Sequence, residues 1–423
     1  MNNSQYIDGL VKQVVFGSTE YQKKESGALI RTLAYENGAR PASIQKFYEE
    51  AGQGLHPGMT VPAINIRGIT YQVAGAVFRA ALKHRVGALI FEIARSEIGY
   101  SDQRPAEYTS CILAAAAKEQ YEGPVFLQGD HFQIKSDKFE SEPEKELGAI
   151  RALIEESIEA GLFNIDIDAS TLVDLGEESI EQQQRLNCQH TADLTRFIRS
   201  IEPEGFTVSI GGEIGEVGKR NSTVEELRVF MKGYLDRLDP AIKGISKISV
   251  QTGTSHGGVI LPDGSIAEVD LDFDTLGKLS RAAREEFGLG GAVQHGASTL
   301  PDDAFGKFPE MDTLEVHLAT GFQNIIFDSQ HFPSDLLNTI NGHLMKKYVS
   351  ERKEGQTEEQ FIYKTRKKAF GDFKKEIWSL PEKNMKMLEE TLEERFTSLF
   401  QMLNVFNTED RIAATVRMDD SLL

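Results

Sequence analysis

PVFLQGDHF, residues 124–132, is the stretch on which the fold turns. A short apolar, β-branched run closes on Gly-Asp-His, the grammar of a buried strand that stops at polar residues. The same grammar recurs in VPAINI (61–66), ALIFEIA (88–94), NIDIDA (164–169) and FTVSIGGE (206–213). It continues in ISVQTG (248–253), GAVQH (291–295) and QNIIFD (323–328), which makes eight expected strands. Between them lie stretches with helical periodicity, among them YQVAGAVFRAALKHR, KELGAIRALIEESIEAG and MDTLEVHLATG. Strand then helix, repeated, implies a parallel sheet with crossover helices. Eight such units close a (β/α)8 TIM barrel, a fold of roughly 250 residues. An open doubly wound sheet fits less well, because no GxGxxG follows the first strand.

Three regions are expected: a helical, polar extension over 1–60, the barrel over 61–332, and a helical extension over 333–423. In the last, Phe396, Leu399, Phe400 and Leu403 recur at helical spacing, so that segment packs on the barrel or on a second subunit. A homo-oligomer is the expected assembly.

The chain has 423 residues and a formal charge of −19, from 46 basic and 65 acidic side chains. Nucleic acid and anionic membranes both need a basic face, so neither is an expected partner. Acidic runs such as MLEETLEERF read as solvated helix faces. No apolar run approaches the ~20 residues that span a bilayer, and the N-terminus lacks a basic-then-apolar leader. Cys111 and Cys188 are too few for a disulfide framework, which makes a reducing cytoplasm the expected setting.

Polar residues gather at the expected strand ends: Asn65, Glu92, Asp130, Asp168, Glu213 and Asp328, with the histidines His131, His256 and His295. In a barrel those ends converge on one face. Imidazoles from three strand ends make a cage for a divalent metal with a position left open for substrate. Asp130 then stands beside the metal as general acid or base. Glu213, after two glycines, is a further ligand, an anchor for a histidine, or a buried hydrogen-bonded carboxylate. Small residues with free N–H groups follow the late strands at Gly257–Gly258, Gly296–Ala297–Ser298 and Asp328–Ser329, where barrels commonly hold phosphate. Metal, proton shuttle and phosphate cradle together point to carbon–carbon cleavage or aldol condensation of a phosphorylated ketose, ahead of metal-assisted hydrolysis.

The motifs GDH, IDAS, GGEIG, GTSHG and HGAS followed by PDD, in this order from Val61 to about Ser329, resemble the class II, metal-dependent fructose-bisphosphate aldolases. The resemblance implies a zinc enzyme that reversibly cleaves fructose 1,6-bisphosphate to dihydroxyacetone phosphate and glyceraldehyde 3-phosphate. It implies zinc on His131, His256 and His295, proton exchange by Asp130, and Glu213 near the metal. It also implies substrate binding by Asn65, Gly257, Gly296, Ser298, Asp328 and Ser329, with a monovalent cation nearby. Two departures stand out. Ile326 replaces an expected asparagine after the last strand, and Ala94 replaces a phosphate-binding serine, for which Arg95 or Ser96 are substitutes. The loop acid that assists enolisation is Glu216, Glu225 or Glu226. FEIARSEIGY, QGDHF and DIDAS also resemble the non-catalytic subunit of tagatose-bisphosphate aldolases, which is not expected to carry GTSHG and HGAS. Alternative functions are therefore a tagatose-bisphosphate or other ketose-phosphate aldolase, or a non-catalytic partner.

Overall fold

The computed structural model describes residues 3–215, 220–253, 261, 271–416 and 418. Its core is a closed parallel barrel of eight strands. These are β2 (Val61–Asn65), β3 (Ile90–Ala94), β4 (Gly123–Gln133), β5 (Asn164–Asp168), β6 (Ser209–Glu213), β7 (Lys247–Val250), β8 (Ala292–Gln294) and β9 (Glu315–Leu318). Each pairs with the next, and β9 closes on β2 with Val61 opposite Glu315 and Ile64 opposite Leu318. The extension before the barrel, expected to be helical, also holds a strand, β1 (Ala39–Ala42). It pairs with the start of β4, Ala39 opposite Gly123, on the edge that β5 takes over only from Gln128 onward. Asn164 stitches the junction: its side-chain amide donates to the carbonyls of Ala42 and Leu127, while its oxygen accepts from the Ile44 N–H.

The eighth strand is not where its sequence suggested. Residues 323–327 belong to the helix Thr320–Phe327, which Asp328 caps, and the strand is Glu315–Leu318, inside a stretch with apparent helical periodicity. The cause is physical. EVHL places two polar side chains inside the barrel and two apolar ones behind it, so it lacks the continuous apolar run of a buried strand. The helix after it is short and largely buried, so NIIF imitates such a run.

The C-terminal extension packs on the barrel. Phe396, Leu399, Phe400 and Leu403 are all buried, and the helix Glu382–Met402 lies along the helix Thr70–His84. The Phe396 ring meets Phe322 at 4.9 Å between centroids. Arg79, on the barrel helix, ties the two together through Glu389 and Glu393. Among the described residues, no helix is long and apolar enough to cross a membrane.

Candidate metal centre and substrate cavity

Asp130 and His131 are consecutive, and on a regular strand their side chains would leave opposite faces. Here β4 bulges between Gly129 and Phe132, and His131 takes a left-handed backbone with φ 41°. Bulges re-aim side chains next to active sites, and this one turns both residues into the barrel mouth, with His131 Nε2 3.9 Å from Asp130 Oδ1. Gly129 makes the bulge feasible: a Cβ there would lie 2.4 Å from the Phe132 ring.

His295, just past the end of β8, stands between two other histidines. Its ring centroid is 4.1 Å from that of His131 and 4.0 Å from that of His317 on β9. His131 Nδ1 faces Glu213 at 3.1 Å and Asp168 at 3.4 Å. His317 Nδ1 faces Glu92 at 3.0 Å and Asp130 at 3.2 Å. Among the described residues three sets of donor atoms each lie within 4.8 Å of one another: Asp130 with His295 and His317, His131 with Glu213 and His295, and Glu92 with Glu315 and His317. Ligands at ~2.0–2.1 Å from a tetrahedral ion stand about 3.3 Å apart, so these separations suit one cation. The donor chemistry agrees, since imidazole with carboxylate is a common set for zinc and related divalent ions.

Electrostatics point the same way. Burial alone would lower the pKa of His131, but the charges of Asp130 and Glu213, with Asp168 accepting its hydrogen bond, hold it well above the ordinary imidazole range. His317 behaves alike, with Glu92 and Asp130 outweighing burial. Glu213 is pushed up to about 7 by burial and the nearby charge of Asp168, against the pull of His131. A donor set that draws in protons this strongly is one that a divalent cation occupies by displacing them.

Below the histidines the barrel interior is polar. Lys247, only 1% exposed, puts Nζ 2.5 Å from Glu315 and 3.0 Å from Asp166. It also donates to Gln128 Oε1 at 2.7 Å. The second residue of IGGE leaves room for this pair: a Cβ at Gly211 would sit 2.2 Å from Asp166 Oδ1 and 2.9 Å from Lys247 Cε. The close approach permitted by that glycine is therefore made by the chain's own lysine.

Above the histidines a cavity of about 840 Å³ opens, lined at its mouth by Arg67, Arg95, Lys135, Lys353, Lys364 and Lys367. On a chain of net charge −19 this is the local positive charge that an anionic substrate needs. Three of the six come from the C-terminal extension. Asn65 and Arg67 both donate to Glu97, at 2.7 and 2.8 Å, which holds them on the cavity wall. Arg67 also reaches Gln323 at 2.9 Å. Burial and the adjacent Arg67 charge lower the pKa of Lys367.

The remaining candidate residues divide plainly. Gly296 and Ser298 line the cavity, as do Arg95 and Ser96; Arg95 also pairs with Glu146. Asp328 and Ser329 are not among its lining residues, and Asp328 instead pairs with Arg366 at 2.5 Å, fastening the C-terminal extension. Glu226 closes a capping box with Thr223, accepting from its N–H at 2.8 Å, and Glu225 is exposed beside Arg228. His256, Gly257 and Glu216 lie outside the described residues. Sequence reading missed His317, Lys247, Asp166, Glu315 and Arg67. For Asp166 the polar residues within the strand run NIDID were the available signal; Glu315 and His317 lie in a stretch that reads as helical.

Fold and site together define a (β/α)8 barrel with a candidate metal centre at the C-terminal ends of its strands, under a cationic cavity. The chain belongs to the family described as fructose-bisphosphate aldolase class-II, which matches residues 43–405. No curated protein matches it. Among solved structures it is similar to the fructose-bisphosphate aldolase of Campylobacter jejuni, with 18% identity, 88% of this chain and 97% of that one covered, and TM-score 0.52. It is similar to the fructuronate-tagaturonate epimerase UxaE of Cohnella laeviribosi, with 10% identity, 82% of each chain covered and TM-score 0.60. It is also similar to a probable tagatose 6 phosphate kinase of Sinorhizobium meliloti, with 14% identity, 84% and 93% covered and TM-score 0.55. At these identities the likeness concerns the fold.

Proposed function

We propose that this chain is a metal-dependent aldolase, an aldehyde-lyase, acting on a phosphorylated ketose, with zinc as the metal and fructose 1,6-bisphosphate as substrate. The observation that carries the reading is Asp130: a buried carboxylate beside His131, His295 and His317, at the floor of a cavity whose mouth is cationic. His131 and His295 would hold the ion, with Glu213 and Asp130 within reach. Bound there, a divalent metal supplies Lewis-acid polarisation of the substrate ketone.

The protein's own residues do the rest. Asp130 takes the proton from the hydroxyl on the carbon that becomes the aldehyde; the carbon–carbon bond breaks, its electron pair passes to the ketone half as an enolate, and that carbon takes up one proton while Asp130 releases the one it accepted. In the reverse direction Asp130 returns that proton. Arg67 and the lysines of the C-terminal extension attract the phosphate and position the sugar chain, with Asn65 and Ser298 on the wall. Burial of the site excludes water that would compete for the proton.

One observation favours a second reading. Asp328 and Ser329 do not line the cavity, so of the expected phosphate holders after the late strands only Gly296 and Ser298 do so among the described residues. A keto-sugar with a single anionic group, a monophosphate or a sugar acid, would use the same metal, proton shuttle and cations.

The test is an assay of the purified, zinc-loaded chain on fructose 1,6-bisphosphate and tagatose 1,6-bisphosphate, with triose phosphate coupled to NADH oxidation. Fructuronate and tagaturonate are run beside them by sugar analysis. Chelator-sensitive triose release supports the first reading; turnover of the sugar acids alone supports the second. Metal-replete protein inactive on all four, but active after addition of a second protein, would make the chain a non-catalytic partner.

A further inference from the structure

His317 is the residue that neither the motif pattern nor the family likeness brings to the metal, yet its surroundings are those of a ligand. Nε2 donates to Glu315 Oε1 at 2.6 Å. That carboxylate is held in place from three other directions, by Lys247 Nζ and the Gln128 amide on Oε1 and by the Tyr48 hydroxyl on Oε2. Glu315, 0% exposed, therefore fixes both the tautomer and the ring plane. A carboxylate behind an imidazole is the usual arrangement that orients a metal-binding histidine and raises its basicity.

Once a cation displaces the proton from the other nitrogen, that nitrogen offers a lone pair. Nδ1 is buried and faces carboxylate oxygens of Glu92 and Asp130 at 3.0 and 3.2 Å, in line with neither for a well-directed hydrogen bond. A lone pair facing two carboxylates is repelled unless positive charge sits between them. His295, 4.0 Å away between ring centroids, converges on the same point, with its donor atom and those of Asp130 and His317 within 4.8 Å.

We propose that His317 binds the catalytic metal through Nδ1, with Glu315 and the Lys247 beneath it as positioning residues that hold the ring in the ligating tautomer. The inference rests on the metal-binding part of the proposed function and not on its aldol step. It places a nitrogen donor on the eighth barrel strand, where it narrows the coordination positions left to substrate.

The experiment is a competition titration of zinc against a chromophoric chelator, paired with the visible spectrum of the cobalt(II)-loaded protein. Wild type, His317→Gln and Glu315→Gln are compared, with folding followed by circular dichroism. His317→Gln keeps an amide donor toward Glu315. It should remain folded, bind zinc about 100-fold or more weaker, and shift the cobalt d–d bands. Glu315→Gln should cost about 10–100-fold in affinity, the usual scale for an outer-shell partner. Unchanged affinity and spectrum in a folded His317→Gln protein would overturn the proposal. Should the variants not fold, zinc-edge anomalous density in wild-type crystals decides: Nδ1 at ~2.0–2.1 Å from zinc supports it, and zinc bound elsewhere overturns it. Wild type that binds no divalent metal would instead sink the metal reading of the site as a whole.

Discussion

Replacing Lys247 with Met tests whether the barrel interior is built on a buried charge balance. The lysine is 1% exposed, and its ammonium lies 2.5 Å from Glu315 and 3.0 Å from Asp166, nearer to Asp166 than the His317 ring at 3.8 Å. Glu315 would keep Tyr48, Gln128 and His317 as donors. Asp166 would lose its nearer ion-pair partner and keep His317 at 3.8 Å. Removing one member of a buried pair typically costs about 3–5 kcal/mol, because the other charge stays buried and unpaired. That is a third or more of the stability of many folded domains. The loss should depend on pH. Burial already pushes the Asp166 carboxyl upward, and without Lys247 it rises further, so acid relieves the variant by protonating it. Urea unfolding of metal-free wild type and Lys247→Met, followed by circular dichroism at pH 5 and pH 8, should show a midpoint difference that is smaller at pH 5. The double variant Lys247→Met with Asp166→Asn should recover at least half of the loss, since contacting residues are not additive. A cost below about 1 kcal/mol at pH 8, or strict additivity in the double variant, would refute the balance argued here.

Other consequences are open to measurement. Asp130→Ala should leave zinc stoichiometry intact while turnover falls by about two to four orders, the usual scale for a general acid–base group; full turnover removes Asp130 from the mechanism. Arg67→Ala should raise KM for the phosphorylated substrate by about 10-fold or more with a smaller change in kcat, since charged hydrogen bonds contribute about 1.5–3 kcal/mol; an unchanged KM would place the substrate anion elsewhere. Metal-stripped protein should lose melting temperature as pH rises from 5 to 8. Glu213 has a folded pKa near 7 against an ordinary 4.5, so its contribution is complete below 4.5 and gone above 7; His131, also raised, contributes with the same sign. The Glu213 contribution is of order 3 kcal/mol. Glu213→Gln should flatten that slope, and a wild-type melting temperature independent of pH over this range would contradict the buried cluster.

How far the fold and site were legible depended on whether function and packing asked for the same residues. Seven of the eight barrel strands were readable because PVFLQGDHF and its counterparts bury apolar side chains until they reach the mouth, where polarity begins at the strand end. EVHL breaks that pattern: Glu315 and His317 turn polar atoms into the barrel interior, so periodicity assigns the segment to a helix. The same two residues anchor the metal proposal, which means that the segment hardest to recognise as a strand is the one whose interior is most committed to chemistry. Asp130 and His131 were visible as a pair, but not the bulge that sends both inward, because Gly129 states only that something approaches closely and not that it is the ring of Phe132. The cations show the opposite limit. Lys353, Lys364 and Lys367 sit in a segment that reads as an ordinary polar helix, and only the folding of the C-terminal extension over the barrel mouth turns them into part of the cavity. Local pattern reveals the residues a strand must bury. It cannot reveal those whose role is created by a contact several hundred residues away in sequence, and in this protein the charge that would meet the substrate is of that kind.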